Sequence, residues 1–190
     1  MKAREYAGIG AGFWRGQSLK GGQVVLAPIA REHIANSRGT LSNFLDLMDA
    51  LDETLKNFNI DRSRIYVEGV SMGGGGTSLY YLIFPEMAGA FCAQAGYYFR
   101  NSKITEVLEQ PILVIHGDQD TKARNETRDR LLDQLGQINS RLTYIALPDA
   151  GHSLPGSEVV KNRLPFFEEH QNSIEPDFRL IRATGKAYFK

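Results

Sequence analysis

Short apolar runs alternate with longer amphipathic runs along most of this chain, and this alternation restricts the fold more than any other feature. The apolar runs are short enough to be strands and carry turn residues at their ends. Strands that are apolar throughout, rather than at every second residue, are typical of a sheet buried on both faces. The predicted strands are Gln23–Ile29, Ile65–Val70, Ala88–Ala95, Ile112–His116 and Leu142–Leu147.

Helical periodicity fills the segments between these strands. Apolar residues at three- and four-residue spacing predict a helix from Leu41 to Phe58. Further helices are predicted over residues 74–84, 125–138 and 159–170, and Pro165 is expected to break or kink the last one. Because strand–helix–strand alternation produces a parallel sheet with helices on both faces, the sequence predicts an α/β fold of this kind, with no large lid.

Charge and composition exclude several classes of partner. Lysine and arginine number 22, as do aspartate and glutamate, so the formal net charge is zero and no basic excess points to nucleic acid. No stretch is long enough for a membrane span, and the first residues lack the apolar core of a signal peptide. We expect a small-molecule partner and a cytoplasmic chain as written, with secretion open if the N-terminus is truncated. Homo-oligomerisation is left open too.

One pentapeptide carries a chemical signature. Gly69-Val70-Ser71-Met72-Gly73 matches G-x-S-x-G between a predicted strand and a predicted helix. In such a strained turn, side chains two residues before or after the serine would collide, and the helix N-terminus favours negative charge. The backbone N–H of Met72 would then be one oxyanion-hole donor. An incidental serine in a glycine-rich turn is the alternative, whereas a phosphate loop is excluded because no lysine follows the glycines.

A nucleophilic serine needs a base, and the chain offers few candidates. The histidines are His33, His116, His152 and His170. We select His152 because it follows the last predicted strand, where its imidazole could reach Ser71. A structural role is expected for His116, and solvated positions for His33 and His170.

The base in turn needs an orienting carboxylate. Asp120 follows the most hydrophobic strand and is our choice, with Asp118 in reserve. The sole cysteine, Cys92, lies in an apolar run and is predicted to be a core residue. No cluster of residues has the spacing of metal ligands, so we expect neither a metal nor a cofactor.

The chain resembles the compact α/β-hydrolase esterases related to polyhydroxybutyrate depolymerases, feruloyl esterases and dienelactone hydrolases. Residues 61–74 resemble the nucleophile turn and its lead-in, residues 111–120 the acid strand, and residues 148–153 the histidine loop. The chain order of serine, aspartate and histidine is also that of this fold. The likeness covers roughly residues 12–168, and its motifs are specific for the fold and the triad more than for the substrate.

The two ends of the chain depart from the family pattern. Members usually begin with a hairpin and a central strand whose His-Gly motif supplies a second oxyanion donor, and residues 1–10 contain neither. Either a backbone N–H of residues 6–10 replaces this second oxyanion donor, or the donor is missing. We interpret residues 1–170 as an N-terminally short hydrolase domain and 171–190 as an extension. Residues 178–189 are expected to form two short strands around a turn at Thr184-Gly185, a β-hairpin that patches the sheet or pairs with another subunit. The alternative is a surface hairpin or a disordered end.

The resemblance implies a serine carboxylic-ester hydrolase that works through an acyl-enzyme. Tyr97, Tyr98 and Trp14 are candidate substrate-binding residues, which would suit short-acyl or phenolic, feruloyl-like esters. Packing in the interior is the alternative for these aromatic side chains. A peptidase or thioesterase on the same fold, or a non-catalytic binding module, is also compatible with the sequence.

Overall fold

The computed structural model describes residues 23–28, 41–96, 108–120, 122–138 and 141–189. The helices are α1 Leu41–Asn57, α2 Met72–Ile83, α3 Lys122–Ile138, α4 Gly156–Glu168 and α5 Phe178–Tyr188. The strands are β1 Tyr66–Val70, β2 Ala90–Gln94, β3 Ile112–Gly117 and β4 Leu142–Leu147. Short 3₁₀ turns at Arg62–Arg64 and Pro85–Met87 precede β1 and β2.

The four described strands form one parallel sheet in the order β1-β2-β3-β4. Gly69 lies opposite Ala93 of β2, and Ala93 lies opposite Val114 of β3. The β3–β4 pair is in register over its whole length, from Ile112 opposite Leu142 to Gly117 opposite Leu147. All four carboxyl ends therefore meet at one edge of the sheet, and the α/β fold class expected from the sequence is confirmed.

Apolar side chains cover both faces of the sheet. On one face, residues of β2 and β3 join the larger core cluster with α1, α2, α3 and α5. On the other face, alternate residues of the same strands pack against α4 in a second cluster that includes Phe166 and Phe167. Cys92 lies in this second cluster and is fully buried, as predicted, and burial raises the pKa of its thiol. The continuous apolar character of β2 and β3 follows from this two-sided burial, whereas β1 and β4, at the two ends of the described sheet, are only partly buried.

Helix α4 contains a proline but does not end there. Pro165 lies inside the helix, which continues to Glu168. The Glu169 N–H donates to the Pro165 carbonyl at 3.0 Å, so hydrogen bonding continues past the proline. The helix therefore does not break at Pro165, which leaves a kink as the part of the expectation that stays a prediction.

The first predicted strand is wrong over the part that the structure describes. Residues 23–28 have no regular secondary structure, and Val24, Val25 and Leu26 are 47%, 41% and 36% exposed. Ile29 lies outside the described residues. A strand is stable only beside a partner that takes up its backbone groups, and the described sheet ends at β1. The apolar composition of residues 23–28 makes them suitable for burial, but it does not supply a neighbouring strand to pair with.

The predicted C-terminal hairpin is a helix. The Asp177 side chain caps α5 by accepting hydrogen bonds from the N–H groups of Arg179 (3.0 Å) and Leu180 (3.2 Å). Phe178 and Ile181, three residues apart, are buried in the larger cluster. This helical spacing and the cap give residues 178–188 a local reason to be helical, and no part of them extends the described sheet.

Helix α5 packs on α1 rather than on the sheet edge. Arg182 Nη1 lies 2.7 Å from Asp49 Oδ1, and its Nη2 lies 2.8 Å from Asp52 Oδ2. Gly185 faces the ring of Phe44, and a Cβ atom at this position would overlap the ring carbons. The glycine that suggested a turn in the sequence instead permits two helices to approach closely.

Candidate active site

Ser71 lies in the sharp turn between β1 and α2. Its backbone has φ 59° and ψ −116°, a left-handed conformation that a serine rarely adopts. The Ser71 N–H donates to the Gln94 carbonyl at 2.9 Å, and its own carbonyl accepts from the Gly75 N–H at 3.1 Å. Neighbouring strand and helix thus hold the turn in a conformation that would be costly in isolation.

Glycines permit this turn, although not quite as expected. A Cβ atom at Gly69 would overlap the backbone of Gly73, so the chain can cross itself there only with glycine at position 69. A Cβ atom at Gly73 would meet no described atom within 4 Å outside its own helix, so the predicted collision is absent on that side. Sequence reasoning missed Gly74, where a Cβ would overlap the Gln94 carbonyl and push α2 away from β2.

The helix that follows Ser71 begins at Met72. Helices leave their first backbone N–H groups without intrahelical partners, and the helix dipole makes this end electropositive. Because Met72 is the first residue of α2, its N–H is one of these groups. Val70 and Met72, the residues before and after Ser71, are 55% and 49% exposed. Two exposed apolar residues are therefore adjacent to Ser71 in the chain.

His152 lies in the loop between β4 and α4, and its imidazole reaches the serine. Its Nε2 atom is 2.9 Å from Ser71 Oγ, and its side chain is 35% exposed. The loop is fixed to the end of β3, because the Gln119 N–H donates to the Ala150 carbonyl at 2.9 Å. Gly117 permits this contact, since a Cβ atom there would overlap the same carbonyl.

Asp120 completes a hydrogen-bonded chain of side chains. Its Oδ2 atom lies 3.2 Å from His152 Nδ1, and the carboxyl group is fully buried. The Asp120 backbone is held on both sides, by its N–H to the Gly117 carbonyl (3.2 Å) and by Asn125 Nδ2 to its own carbonyl (3.0 Å). Asp118, the reserve candidate, is exposed. The structure thus brings together Ser71, His152 and Asp120.

Two other histidines are described. His116 is fully buried, as a structural role would require, and its Nε2 atom lies 3.3 Å from Asp120 Oδ2. Sequence reasoning missed this contact, although the four-residue spacing of His116 and Asp120 was visible. His170 is only partly exposed, because its ring packs 4.6 Å from that of Phe166 and its Nδ1 atom lies 2.6 Å from the Phe166 carbonyl. The solvated position expected for His170 is therefore wrong, and His33 lies outside the described residues.

An ion pair that the sequence did not reveal lies behind the nucleophile turn. Arg163 of α4 is 2% exposed, and its Nη1 atom lies 2.8 Å and 2.7 Å from the two carboxylate oxygens of Glu68 on β1. Burial raises the pKa of Glu68 to about 7, and the positive charge of Arg163 opposes part of that rise. Burial also lowers the pKa of Arg163. The pair joins the strand that leads to Ser71 to the helix that follows His152.

Several predicted features lie outside the part of the chain that the structure describes. They are the candidate substrate-binding residues Trp14, Tyr97 and Tyr98 and the segment 6–10 considered for the second oxyanion donor. Within the described ranges, no group of three or more histidine, cysteine, aspartate or glutamate side chains could hold a metal ion. No helix in those ranges is long and apolar enough to cross a membrane.

The chain is similar to known proteins in both sequence and fold. Residues 27–160 match the profile of the dienelactone hydrolase family. A probable carboxylesterase, SOBER1-like, of Arabidopsis thaliana is 30% identical over 105 residues, which are 53% of this chain and 40% of that protein. The chain therefore spans less than half the length of this relative.

Many solved structures share the fold, and two of them illustrate the likeness. A thermostable esterase superposes with a TM-score of 0.54 at 23% identity, over 68% of this chain and 37% of that chain. FphF, a fluorophosphonate-binding serine hydrolase of Staphylococcus aureus, has a TM-score of 0.54 at 14% identity, over 66% of this chain and 63% of that chain. At these identities the likeness concerns the fold alone.

Proposed function

Because the chain belongs to the dienelactone hydrolase family, we propose that it is a serine ester hydrolase with Ser71 as nucleophile, His152 as base and Asp120 as the orienting acid. One observation carries the proposal: Ser71 Oγ, the His152 imidazole and the Asp120 carboxylate are linked by distances of 2.9 Å and 3.2 Å. The three groups come from three separate loops at the carboxyl edge of the sheet, where ligands bind in folds of this class.

The geometry supports acyl transfer in two steps. His152 Nε2 takes the proton of Ser71 Oγ as the oxygen attacks the ester carbonyl carbon. The Met72 N–H donates to the resulting oxyanion at the positive end of α2. His152 then gives the proton to the departing alcohol oxygen, which leaves Ser71 acylated. A water molecule activated by the same imidazole releases the acid and restores the serine.

The buried carboxylate of Asp120 has two tasks in this scheme. By accepting from His152 Nδ1 it keeps the Nε2 atom free to receive the serine proton. It also stabilises the imidazolium that forms during each step, and this stabilisation is strong because the carboxyl group is shielded from water. Asp118 is exposed and cannot supply such shielding.

Surroundings of Ser71 favour a small ester with an apolar group. Val70 and Met72 are adjacent to the nucleophile in the chain and are exposed, so they offer apolar surface to a short acyl chain or an aromatic ring. We propose short-acyl or phenolic, feruloyl-like esters as substrates, with Tyr97, Tyr98 and Trp14 as further contacts. The proposed partner is thus a small molecule, with no nucleic acid or membrane and no bound cofactor.

The test is hydrolysis of p-nitrophenyl acetate and butyrate by the wild type, Ser71→Ala and Ser153→Ala. Ser153 is a matched control, because it is an exposed serine beside His152. We expect Ser71→Ala to lose roughly a thousandfold or more of the wild-type rate, since the nucleophile is removed. Ser153→Ala should keep most of the activity.

A fluorophosphonate probe gives a second readout that requires no turnover of a natural substrate. The probe should label the wild type and Ser153→Ala but not Ser71→Ala. Equal rates in all three proteins, with no labelling of Ser71, would contradict the proposal and favour a non-catalytic binding module. A Ser71-dependent rate that is much higher with thioesters or peptides would keep the nucleophile and revise the substrate class.

A further inference from the structure

The Asp120 carboxylate faces two imidazoles. Its Oδ2 atom lies 3.2 Å from His152 Nδ1 and 3.3 Å from His116 Nε2. His152 is 35% exposed at the site, whereas the His116 side chain is fully buried on β3. One carboxylate oxygen therefore lies between a solvent-accessible imidazole and a buried one.

The position of His116 is determined by the sheet rather than by a mobile loop. The residue pairs with Ala146 of β4, and the next residue, Gly117, touches the histidine loop so closely that no side chain fits. The Asp120 N–H donates to the Gly117 carbonyl at 3.2 Å, which ties the carboxylate to the end of the same strand. His116 and Asp120 thus belong to one rigid unit, and the approach of Nε2 to Oδ2 follows from its backbone.

The chemistry of the two groups decides which atom carries the proton. An ionised carboxylate only accepts hydrogen bonds, and an imidazole nitrogen that faces it must therefore be the protonated one. A buried imidazole and a buried carboxylate both lose their water contacts, so a hydrogen bond between them replaces solvation for each. The Nε2–H tautomer of His116 meets the first requirement, and at 3.3 Å the contact with Oδ2 is longer and less well aligned than a regular hydrogen bond.

We propose that His116 is a positioning residue that donates its Nε2–H to Asp120 Oδ2 and so holds the carboxylate in the orientation that His152 requires. The inference rests on the proposed function, because the orientation matters only if His152 acts as the base. The His116 side chain is fully buried, so it does not meet the substrate, and it transfers no proton. It fixes the side-chain torsions of Asp120 and shares the charge on Oδ2, which keeps the aspartate an acceptor while His152 carries its proton.

The test compares His116→Leu, which removes the donor, with His116→Gln, whose terminal amide can place an N–H near the position of Nε2. With p-nitrophenyl butyrate, we expect His116→Leu to lower kcat by about tenfold with little change in KM, the effect of one lost hydrogen bond to a charged group. His116→Gln should recover most of the loss. If both variants keep the wild-type kcat, or if they lose the same activity, the proposal is overturned.

Combination with Asp120→Asn shows whether His116 acts through the aspartate. In the Asp120→Asn background, His116→Leu should cost nothing further, because the carboxylate that it positions is already gone. The same tenfold loss in both backgrounds would refute the positioning role. Should the leucine variant fail to fold, His116→Asn takes its place, since its shorter amide cannot reach Oδ2.

Failure of this inference can be told apart from failure of the proposed function. If Ser71→Ala hydrolyses esters as fast as the wild type, the proposed function fails. The kinetic comparison is then replaced by urea unfolding of the wild type, His116→Leu, Asp120→Asn and the double variant. The midpoints should then show coupling between positions 116 and 120, whereas additive shifts would overturn the hydrogen bond. If activity depends on Ser71 and His116 variants are fully active, the proposed function stands and only the positioning role is lost.

Discussion

Replacing glycine by alanine should have opposite effects on stability in two helices of this protein. Gly136 lies near the end of α3 and Gly185 near the end of α5, so each sits in a last helical turn. Alanine is the better helix former by up to about 1 kcal/mol, and an isolated helix would be stabilised by either change. Any difference in sign must therefore come from tertiary contacts.

The surroundings of the two glycines are very different. A Cβ atom at Gly136 would meet no described atom within 4 Å, whereas one at Gly185 would overlap the ring of Phe44. That ring is fully buried and packs 5.1 Å from the ring of Phe84 and 5.5 Å from that of Phe189, so it cannot easily move away. Overpacking of this kind costs about 1–3 kcal/mol, which exceeds the gain in helix propensity.

We therefore expect Gly136→Ala to raise the free energy of unfolding by about 0.5–1 kcal/mol and Gly185→Ala to lower it by about 1–2 kcal/mol. Urea unfolding followed by far-UV circular dichroism measures both values. In a protein of this length, 1 kcal/mol corresponds to a change in Tm of about 2–4 °C. Adding Phe44→Leu to Gly185→Ala should cost less than the sum of the two single changes, because the smaller side chain leaves room for the methyl group.

A stabilising Gly185→Ala, similar in size to Gly136→Ala, would refute this reasoning. It would mean that α5 does not pack against Phe44 in solution as it does here. Additive effects of Phe44→Leu and Gly185→Ala would lead to the same conclusion, since they would show that the two positions do not touch.

Further predictions concern the site and the strand beneath it. Asp120→Asn should lower kcat for p-nitrophenyl butyrate by about a hundredfold to ten-thousandfold, while Asp118→Asn, at an exposed position, should leave it nearly unchanged; equal losses would contradict the assignment. Gly69→Ala should abolish fluorophosphonate labelling of Ser71, because its methyl group overlaps the turn; normal labelling would disprove that crowding. Since burial raises the pKa of Glu68 from 4.5 to about 7, folding favours its protonated form, and stability should fall by about 3 kcal/mol as the pH rises through this range. Urea unfolding of Glu68→Gln should lack this component, and an unchanged slope would show that another group is responsible.

The members of the proposed triad could be predicted from the sequence because each one follows a strand that is itself predictable from its apolar composition. β1, β3 and β4 are short apolar runs whose ends differ little from the predicted ones, and Ser71, Asp120 and His152 come soon after them. Parallel strands bring such positions to one edge whatever the details of packing. The structure adds the distances of 2.9 Å and 3.2 Å that link the three side chains.

Contacts between distant segments were not predictable in the same way. The Glu68–Arg163 pair spans 95 residues, and neither side chain stands out in its own segment, where a charged residue is ordinarily solvated. His116 was assigned a structural role, but its approach to Asp120 depends on how the turn after β3 folds back. In each case the sequence identified the chemistry of the side chain but did not show which residue it would contact.

What the sequence determined by itself was the order of the elements between residues 41 and 168, the parallel sheet and the candidates for the proposed triad, because hydrophobic periodicity and turn chemistry act over a few residues. Only the tertiary structure decided that residues 23–28 lie outside the described sheet and that the C-terminal helix packs against α1. A run of apolar residues specifies that a surface can be buried, but it does not specify which part of the protein will cover that surface. The residues around Gly185 are compatible with a turn or with a close contact between helices. The contact of Gly185 with the ring of Phe44 on α1 shows that the second is present.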